Sequence, residues 1–280
     1  MSAAHASWNP EVMVNLARYP INRPSDAAYS ALVNHCRKQL KALGAVEIPE
    51  FLEQDALQAM VIEADQLDQH AYHNVVVGNA YLEPIAEDLP NDHVKRITEK
   101  TSLAVVAYDQ FPQTSPLKAL YEWDPLMSFI AACLSEERMY RYADPMGALN
   151  LSIMREHDYL RWHFDQTDFV TSIALQSSEG GGEFEYIPKI RSSDQENFGE
   201  VAKVLNGDRS RVKFFPMVPG TLLLFQGRYA IHRVTKVMGS KKRHVALLGF
   251  DTKPGVKSTE HLQRMRYGRI SQASGPRGSV

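Results

Sequence analysis

Cysteine is scarce: the 280 residues hold two, Cys36 and Cys133, both inside apolar-patterned stretches where a buried thiol behaves as a small hydrophobe. No disulfide framework is implied. Long hydrophobic runs are missing too, and a stretch such as Leu222-Leu223-Leu224-Phe225 is far too short to cross a bilayer. The first residues, Met1 to Val12, show no basic start followed by an apolar core, so a cytoplasmic location is expected. Charge of one sign does not accumulate, with 31 basic residues against 33 acidic ones. The nearest basic cluster, Lys241-Lys242-Arg243-His244, is too short for a nucleic-acid or membrane footprint. Those absences favour a small soluble molecule as partner, with neither nucleic acid nor membrane involved, and they leave the oligomeric state open.

What is present is a chain that is 44% hydrophobic, enough for a substantial core. We expect one domain over residues 1–270, with a helical lead-in at 26–140, a β core at 145–252 and a disordered tail at 271–280. From Asp26 to Leu43 apolar residues recur at helical spacing and Gly44 follows where a helix would stop. Ala45 to Pro49 reads as a short strand, and Glu53 to His70 carries a second helical pattern. Residues 71–115 mix polar residues with proline and asparagine and are expected to be loops that form a lid. Pro116 to Leu134 is helical again. From Ala148 onward short runs at strand spacing alternate with turns: 149–155, 159–165, 170–176, 182–187, 213–218, 221–226, 231–234 and 244–250, interrupted by a helical excursion at 194–206. That order predicts an α+β, mainly β fold, a jelly roll of cupin-like, double-stranded β-helix form with N-terminal packing helices.

The sharpest feature is Arg161-Trp162-His163-Phe164-Asp165, because alternate residues of a strand share a face and so bring the His163 imidazole beside the Asp165 carboxylate. A third candidate, His232, lies downstream in Ile231-His232-Arg233-Val234. Two imidazoles and one carboxylate are the set that leaves one face of a ferrous ion open. Alone, His-x-Asp is weak. Its companions give it weight: the glycine turn Glu179 to Phe184, the turn and strand Pro219 to Phe225, and Arg243, eleven residues after His232, at a spacing that suits a hairpin returning beside the strand of His232.

This arrangement resembles the 2-oxoglutarate/iron(II)-dependent dioxygenase superfamily over about residues 145–252, with a family-like helical lead-in from Asp26. The wording around His163-Phe-Asp-Gln-Thr-Asp-Phe, Gly181-Gly-Glu-Phe-Glu-Tyr-Ile-Pro and Ile231-His-Arg-Val-Thr is similar to the branch of free-amino-acid halogenases and their hydroxylase relatives. The resemblance implies Fe(II) held by His163, Asp165 and His232, with 2-oxoglutarate as cosubstrate and O2 as oxidant. Arg243 would take the distal carboxylate of 2-oxoglutarate, since a planar double donor suits it better than a lysine does, with Thr171 adding a hydroxyl. Halogenating members replace the carboxylate ligand with a small residue so that chloride binds iron, so Asp165 points to oxygen transfer. Hydroxylation of an unactivated C–H bond in an amino-acid-like metabolite is the expected reaction, with desaturation or oxidative ring closure as alternatives.

Substrate-facing candidates are Tyr159 and Arg161, which share the parity of His163, and Arg228, each of which a structural role explains equally well. His157, in a polar turn, and His244, of opposite parity to Arg243, are left out of the metal set. The glycine run 180–182 lacks the lysine and strand-to-helix setting of a phosphate loop. Competing readings are a catalytically silent cupin-type metal module, which has no reason to place Arg243, and a zinc hydrolase, which needs no 2-oxoglutarate.

Overall fold

The computed structural model describes residues 8–85 and 87–271. Helix α1 spans Ala27–Leu43 and stops at Gly44, whose φ of 67° a side chain would resist. Its buried residues Val33, Cys36 and Leu40 fall on one face, as the sequence pattern requires. Strand β1 (Ala45–Ile48) follows, and then α2 (Gln54–Leu67), whose buried stripe runs through Leu57, Met60, Ala64 and Leu67.

The expectation of loops over 71–115 is corrected at two places. Strands β2 (Tyr72–Gly78) and β3 (Glu99–Val106) pair antiparallel from Tyr72 opposite Val105 to Gly78 opposite Glu99. The irregular segment between them is pinned by Asn79, which is wholly buried. Its amide donates to the carbonyls of Glu83 and Lys95, and its Oδ1 accepts from the backbone N–H of Tyr81 and Glu83. The helical stretch 116–134 is two helices, α3 (Pro116–Tyr121) and α4 (Asp124–Leu134). Pro125 explains the break, because its ring would clash with the Tyr121 carbonyl in a continuous helix.

The remaining elements are β4 (Tyr140–Arg141), β5 (Leu149–Met154), β6 (Leu160–His163), β7 (Val170–Gln176) and β8 (Phe184–Ile187). After them come α5 (Phe198–Leu205), β9 (Lys213–Phe215), β10 (Leu222–Phe225), β11 (Ile231–Val234), β12 (Arg243–Leu248), β13 (Phe250–Asp251) and α6 (Glu260–Tyr267). A seven-stranded sheet has the order β1-β10-β7-β12-β5-β3-β2 and a four-stranded sheet the order β6-β11-β8-β9. From β5 to β8, and again from β10 to β12, consecutive strands alternate between the two sheets, which is the winding of a double-stranded β-helix. The expected tail lies, beyond Ser271, outside the described residues. Among the described residues no helix is long and apolar enough to cross a membrane.

Alternation along the strands divides the interior. Ile173, Leu175, Leu222, Leu224, Ala246 and Leu248 join Cys36, Met60 and Phe129 in a core between the larger sheet and the helices. The intervening residues Ala174, Leu223, Phe225 and Val245 meet Tyr186 and Ala230 between the two sheets. A third cluster, with Trp162, Phe164 and Ile231 against Val201 and Val204 of α5, covers the outer face of the smaller sheet. Gly181 shows why the glycine turn is needed: with φ at 61°, a Cβ there would sit 1.9 Å from the Lys236 carbonyl oxygen.

Candidate active site

His163 closes β6 and lies directly opposite His232 of β11 in the smaller sheet. The strand ends there, so Asp165 is not a strand residue as the spacing implied. It sits two residues past the strand, its backbone N–H bonded to the Gly227 carbonyl at 3.1 Å. The three donors nevertheless converge, with one ligand atom from each all within 4.8 Å of one another. The Asp165 Oδ1 is 3.8 Å from His163 Nε2 and 3.5 Å from His232 Nε2.

Tautomers follow from the strand backbone. His163 Nδ1 contacts the Arg161 carbonyl at 2.9 Å and His232 Nδ1 the Ala230 carbonyl at 2.9 Å, so each Nδ1 carries the proton and each Nε2 lone pair faces the carboxylate. Burial, and then the neighbouring His232, push the His163 pKa down to about 3, which keeps that imidazole neutral at physiological pH. Burial works to raise the Asp165 carboxyl, but the attraction of His232 and His163, helped by Arg266, outweighs it and holds the group below the ordinary range. Its Oδ2 is buried with no hydrogen-bond partner. An anionic oxygen left unsatisfied beside two imidazole nitrogens is what a divalent cation would complete, so the donor set fits iron. Phe225 and Phe184 pack on the His232 ring at centroid distances of 4.8 and 5.5 Å and screen it from solvent.

Gly227 is a site residue that the sequence reading missed; its only signal is its place at the end of the Pro219–Phe225 run. A Cβ there would lie 1.6 Å from Asp165 Oδ2. Gly227→Ala should therefore displace the carboxylate and weaken ferrous binding by about tenfold or more, the scale on which ligand-orienting groups act. Calorimetric titration of iron into the variant checks this, with a far-ultraviolet spectrum to verify the fold.

Arg243 opens β12, opposite Met154 of β5, in the larger sheet. The hairpin expected beside β11 is thus replaced by a crossing from one sheet to the other. Arg243 has the parity of Val245, which faces the space between the sheets, so its guanidinium approaches the donors from across the sandwich. It is 6% exposed, its Nη1 contacts only the Met154 sulfur at 3.9 Å, and it forms no ion pair among the described residues. Burial lowers its pKa to about 10, leaving it a cation at neutral pH without a counterion.

Thr171 is not brought to Arg243. It pairs with Leu224 of β10 and Leu248 of β12, both in the helix-side core, and so faces away from the inter-sheet space. Tyr159 is half-buried, exchanging backbone hydrogen bonds of 2.9 and 3.1 Å with Ser102. Arg161 is buried at the sheet edge, its Nη1 donating to Thr101 Oγ1 at 3.0 Å. Arg228 pairs with Asp168 and donates to the Gln166 carbonyl, tying the loop before β11 to the loop that follows Asp165. His244 is fully buried on the opposite face of β12 from Arg243; neither ring nitrogen has a hydrogen-bond partner among the described residues, and its Nε2 stands 3.9 Å from the Asp65 carboxylate.

A double-stranded β-helix with this triad between its sheets defines a 2-oxoglutarate/iron(II)-dependent oxygenase, with O2 the implied oxidant. Solved structures share the fold. A carbocyclase, SnoK, from nogalamycin biosynthesis, described as non-heme and alpha-ketoglutarate-dependent, is 14% identical over 85% of this chain and 93% of its own, with a TM-score of 0.55. An oxidoreductase of the 2OG-Fe(II) oxygenase family from Burkholderia pseudomallei is 14% identical over 80% and 92%, with a TM-score of 0.51. A prolyl hydroxylase from Trichoplax adhaerens, in complex with a hypoxia inducible factor peptide, is 14% identical over 81% and 95%, also at 0.51. The family model described as halogenase D matches residues 28–266, and the chain belongs to that family. No curated protein matches it.

Proposed function

We propose that this protein hydroxylates an unactivated C–H bond of a small, amino-acid-like metabolite, as one catalytic domain working in the cytoplasm. The observation that carries this reading is the Asp165 carboxylate, 3.5 and 3.8 Å from two imidazole Nε2 atoms. His163, Asp165 and His232 would hold ferrous iron, and in halogenating members, by the resemblance drawn above, a small residue stands where Asp165 does. When bound, iron and 2-oxoglutarate supply an oxidant for the substrate C–H bond and leave succinate and carbon dioxide.

The chain's own residues do the placing. Arg243 anchors the distal carboxylate of 2-oxoglutarate across the sandwich, which relieves its buried charge. Phe184 and Phe225 keep water from His232. The pairing of Arg228 with Asp168 fixes the two loops that flank Asp165. Oxidative ring closure is the second reading, favoured by the carbocyclase of the same fold; the substrate's pose decides between the two outcomes.

The test is succinate release from 2-oxoglutarate with ferrous iron while free amino acids are screened for stimulation. Iron-dependent succinate formation that rises with a particular amino acid is expected, with oxygen incorporated into that amino acid. Iron binding without any decarboxylation would instead match a silent metal module, and activity in zinc alone would match a hydrolase.

A further inference from the structure

The chain's two cysteines, Cys36 and Cys133, stand far apart in sequence and are brought together by the fold. Cys36 lies on the buried face of α1 with Val33 and Leu40, and Cys133 on that of α4 with Phe129 and Ile130. The two helices pack directly on each other: Tyr29 of α1 meets Phe129 of α4 edge-on, with ring centroids 6.2 Å apart. Both cysteines belong to the core between these helices and the larger sheet. Their chain neighbours are bonded as well. Arg37 Nε donates to the Ala132 carbonyl at 2.8 Å, so the residue after Cys36 is tied to the residue before Cys133. The two thiols are each other's side-chain hydrogen-bond partner.

Two facing thiols add to an apolar core something a pair of alkyl groups does not, since loss of two hydrogens joins them. Their surroundings also make them unlike. The hydrogen bond from Cys133 holds the Cys36 thiol below the ordinary range, against the opposing effect of burial. Burial pushes the Cys133 thiol up, and Arg37 is the charge that opposes this. Cys36 is therefore the member that forms a thiolate first.

We propose that Cys36 and Cys133 form a reversible disulfide that staples α1 to α4 when a low-molecular-weight disulfide accumulates. The Cys36 thiolate attacks one sulfur of that reagent, forming a mixed disulfide and releasing a small thiolate, which takes up the proton that Cys36 gave up. Cys133 then attacks the Cys36 sulfur of the mixed disulfide, and its proton passes to the second small thiolate as that leaves. Two protein thiols are oxidised and one S–S bond of the reagent is reduced to two thiols. Both protein sulfurs are closed to solvent, at 0% and 2% exposure, so the reagent enters only when the helices part locally. Burial thus makes the bond slow to form and slow to reverse. The staple closes the long loop from residue 36 to residue 133, which restricts the unfolded chain.

The test uses the full chain without metal or 2-oxoglutarate, so its outcome is independent of the oxygenase reading. The chain is incubated with glutathione disulfide in urea below the unfolding transition, where local opening admits the reagent, and is then returned to buffer. The intact mass should fall by about 2 Da, both thiols should vanish from a titration under denaturing conditions, and a digest should yield one cross-linked pair of peptides holding Cys36 and Cys133. The oxidised chain should melt about 5–10 °C above the reduced one, and a reducing agent should restore the original melt. Cys133→Ala should instead keep glutathione on Cys36 and show no such rise, while the comparison of oxidised with reduced parent needs no variant at all. Thiols that stay titratable, glutathione retained on both cysteines, or cross-links between chains overturn the proposal. So does an internal disulfide that leaves the melt unchanged or lowers it, because the bond would then join the helices in an arrangement other than the native one.

Discussion

Arg243→Met is expected to remove most of the protein's affinity for 2-oxoglutarate while leaving the apoprotein as stable as the parent or more so. Both halves follow from one fact. The guanidinium is buried against Met154 with no anion beside it among the described residues, so without cosubstrate it is an uncompensated charge, and such a charge destabilises. Methionine fills similar space without the charge. With 2-oxoglutarate bound, the same cation would face a carboxylate, and truncating one partner of a buried charge pair costs about 2–5 kcal/mol, on the order of thirtyfold to several thousandfold in the 2-oxoglutarate requirement. Arg243→Lys should fall between, keeping the charge but losing the planar double donor.

The sign of the pH dependence is fixed. Burial lowers the folded pKa to about 10, well below the ordinary arginine value, so the unfolded chain holds this proton more tightly and the charge destabilises the fold at every pH below about 10. That penalty fades as the pH rises above about 10 toward the ordinary arginine value, and any stability advantage of the methionine variant should shrink over the same window. Thermal melts at neutral pH and above pH 10 measure it. A variant that melts several degrees lower at neutral pH, or that turns over with an unchanged 2-oxoglutarate requirement, would remove Arg243 from this role.

The legible parts of this fold are those whose residues repeat with one period. Helix α1 is readable because Val33, Cys36 and Leu40 recur on one face and Gly44 ends it. The metal donors were readable because a residue two positions on keeps its side even where the strand has ended, so Asp165 still meets His163. Thr171 was misplaced for a definite reason: β7 is buried on both faces from Thr171 to Leu175, which erases the polar–apolar alternation that would have shown which side each residue takes. The same double burial hides the sheet to which β12 belongs, so the spacing between His232 and Arg243 read as a hairpin within one sheet. Strands β2 and β3 escaped because β2 is an edge strand with Val75 and Val77 exposed, and its partner begins with Glu99-Lys100. Neither presents a clean apolar face. Gly227 was invisible for another reason, since its importance lies in the atoms it lacks beside Asp165.

Asp165→Ala is the substitution expected to do most damage to function and least to the fold. The carboxylate supplies the only negative charge of the triad, and without it two imidazoles alone would be left to hold a dication. Groups that merely orient metal ligands are worth about ten- to a hundredfold in affinity or activity, so loss of a ligand itself should exceed a hundredfold. The fold should survive, because the tether at this position is the backbone N–H of residue 165 to the Gly227 carbonyl, which alanine retains, and because the Asp165 Oδ2 has no partner to lose. Asp165→Asn tests charge apart from shape: it keeps an oxygen donor in the same place, and should bind iron between the parent and the alanine variant. Ferrous titrations and succinate release, measured beside thermal melts, separate ligand loss from unfolding. Oxygenation at the parental rate by the alanine variant would show that residue 165 is not an iron ligand, and with it would go the distinction drawn between this chain and the halogenating members of its family.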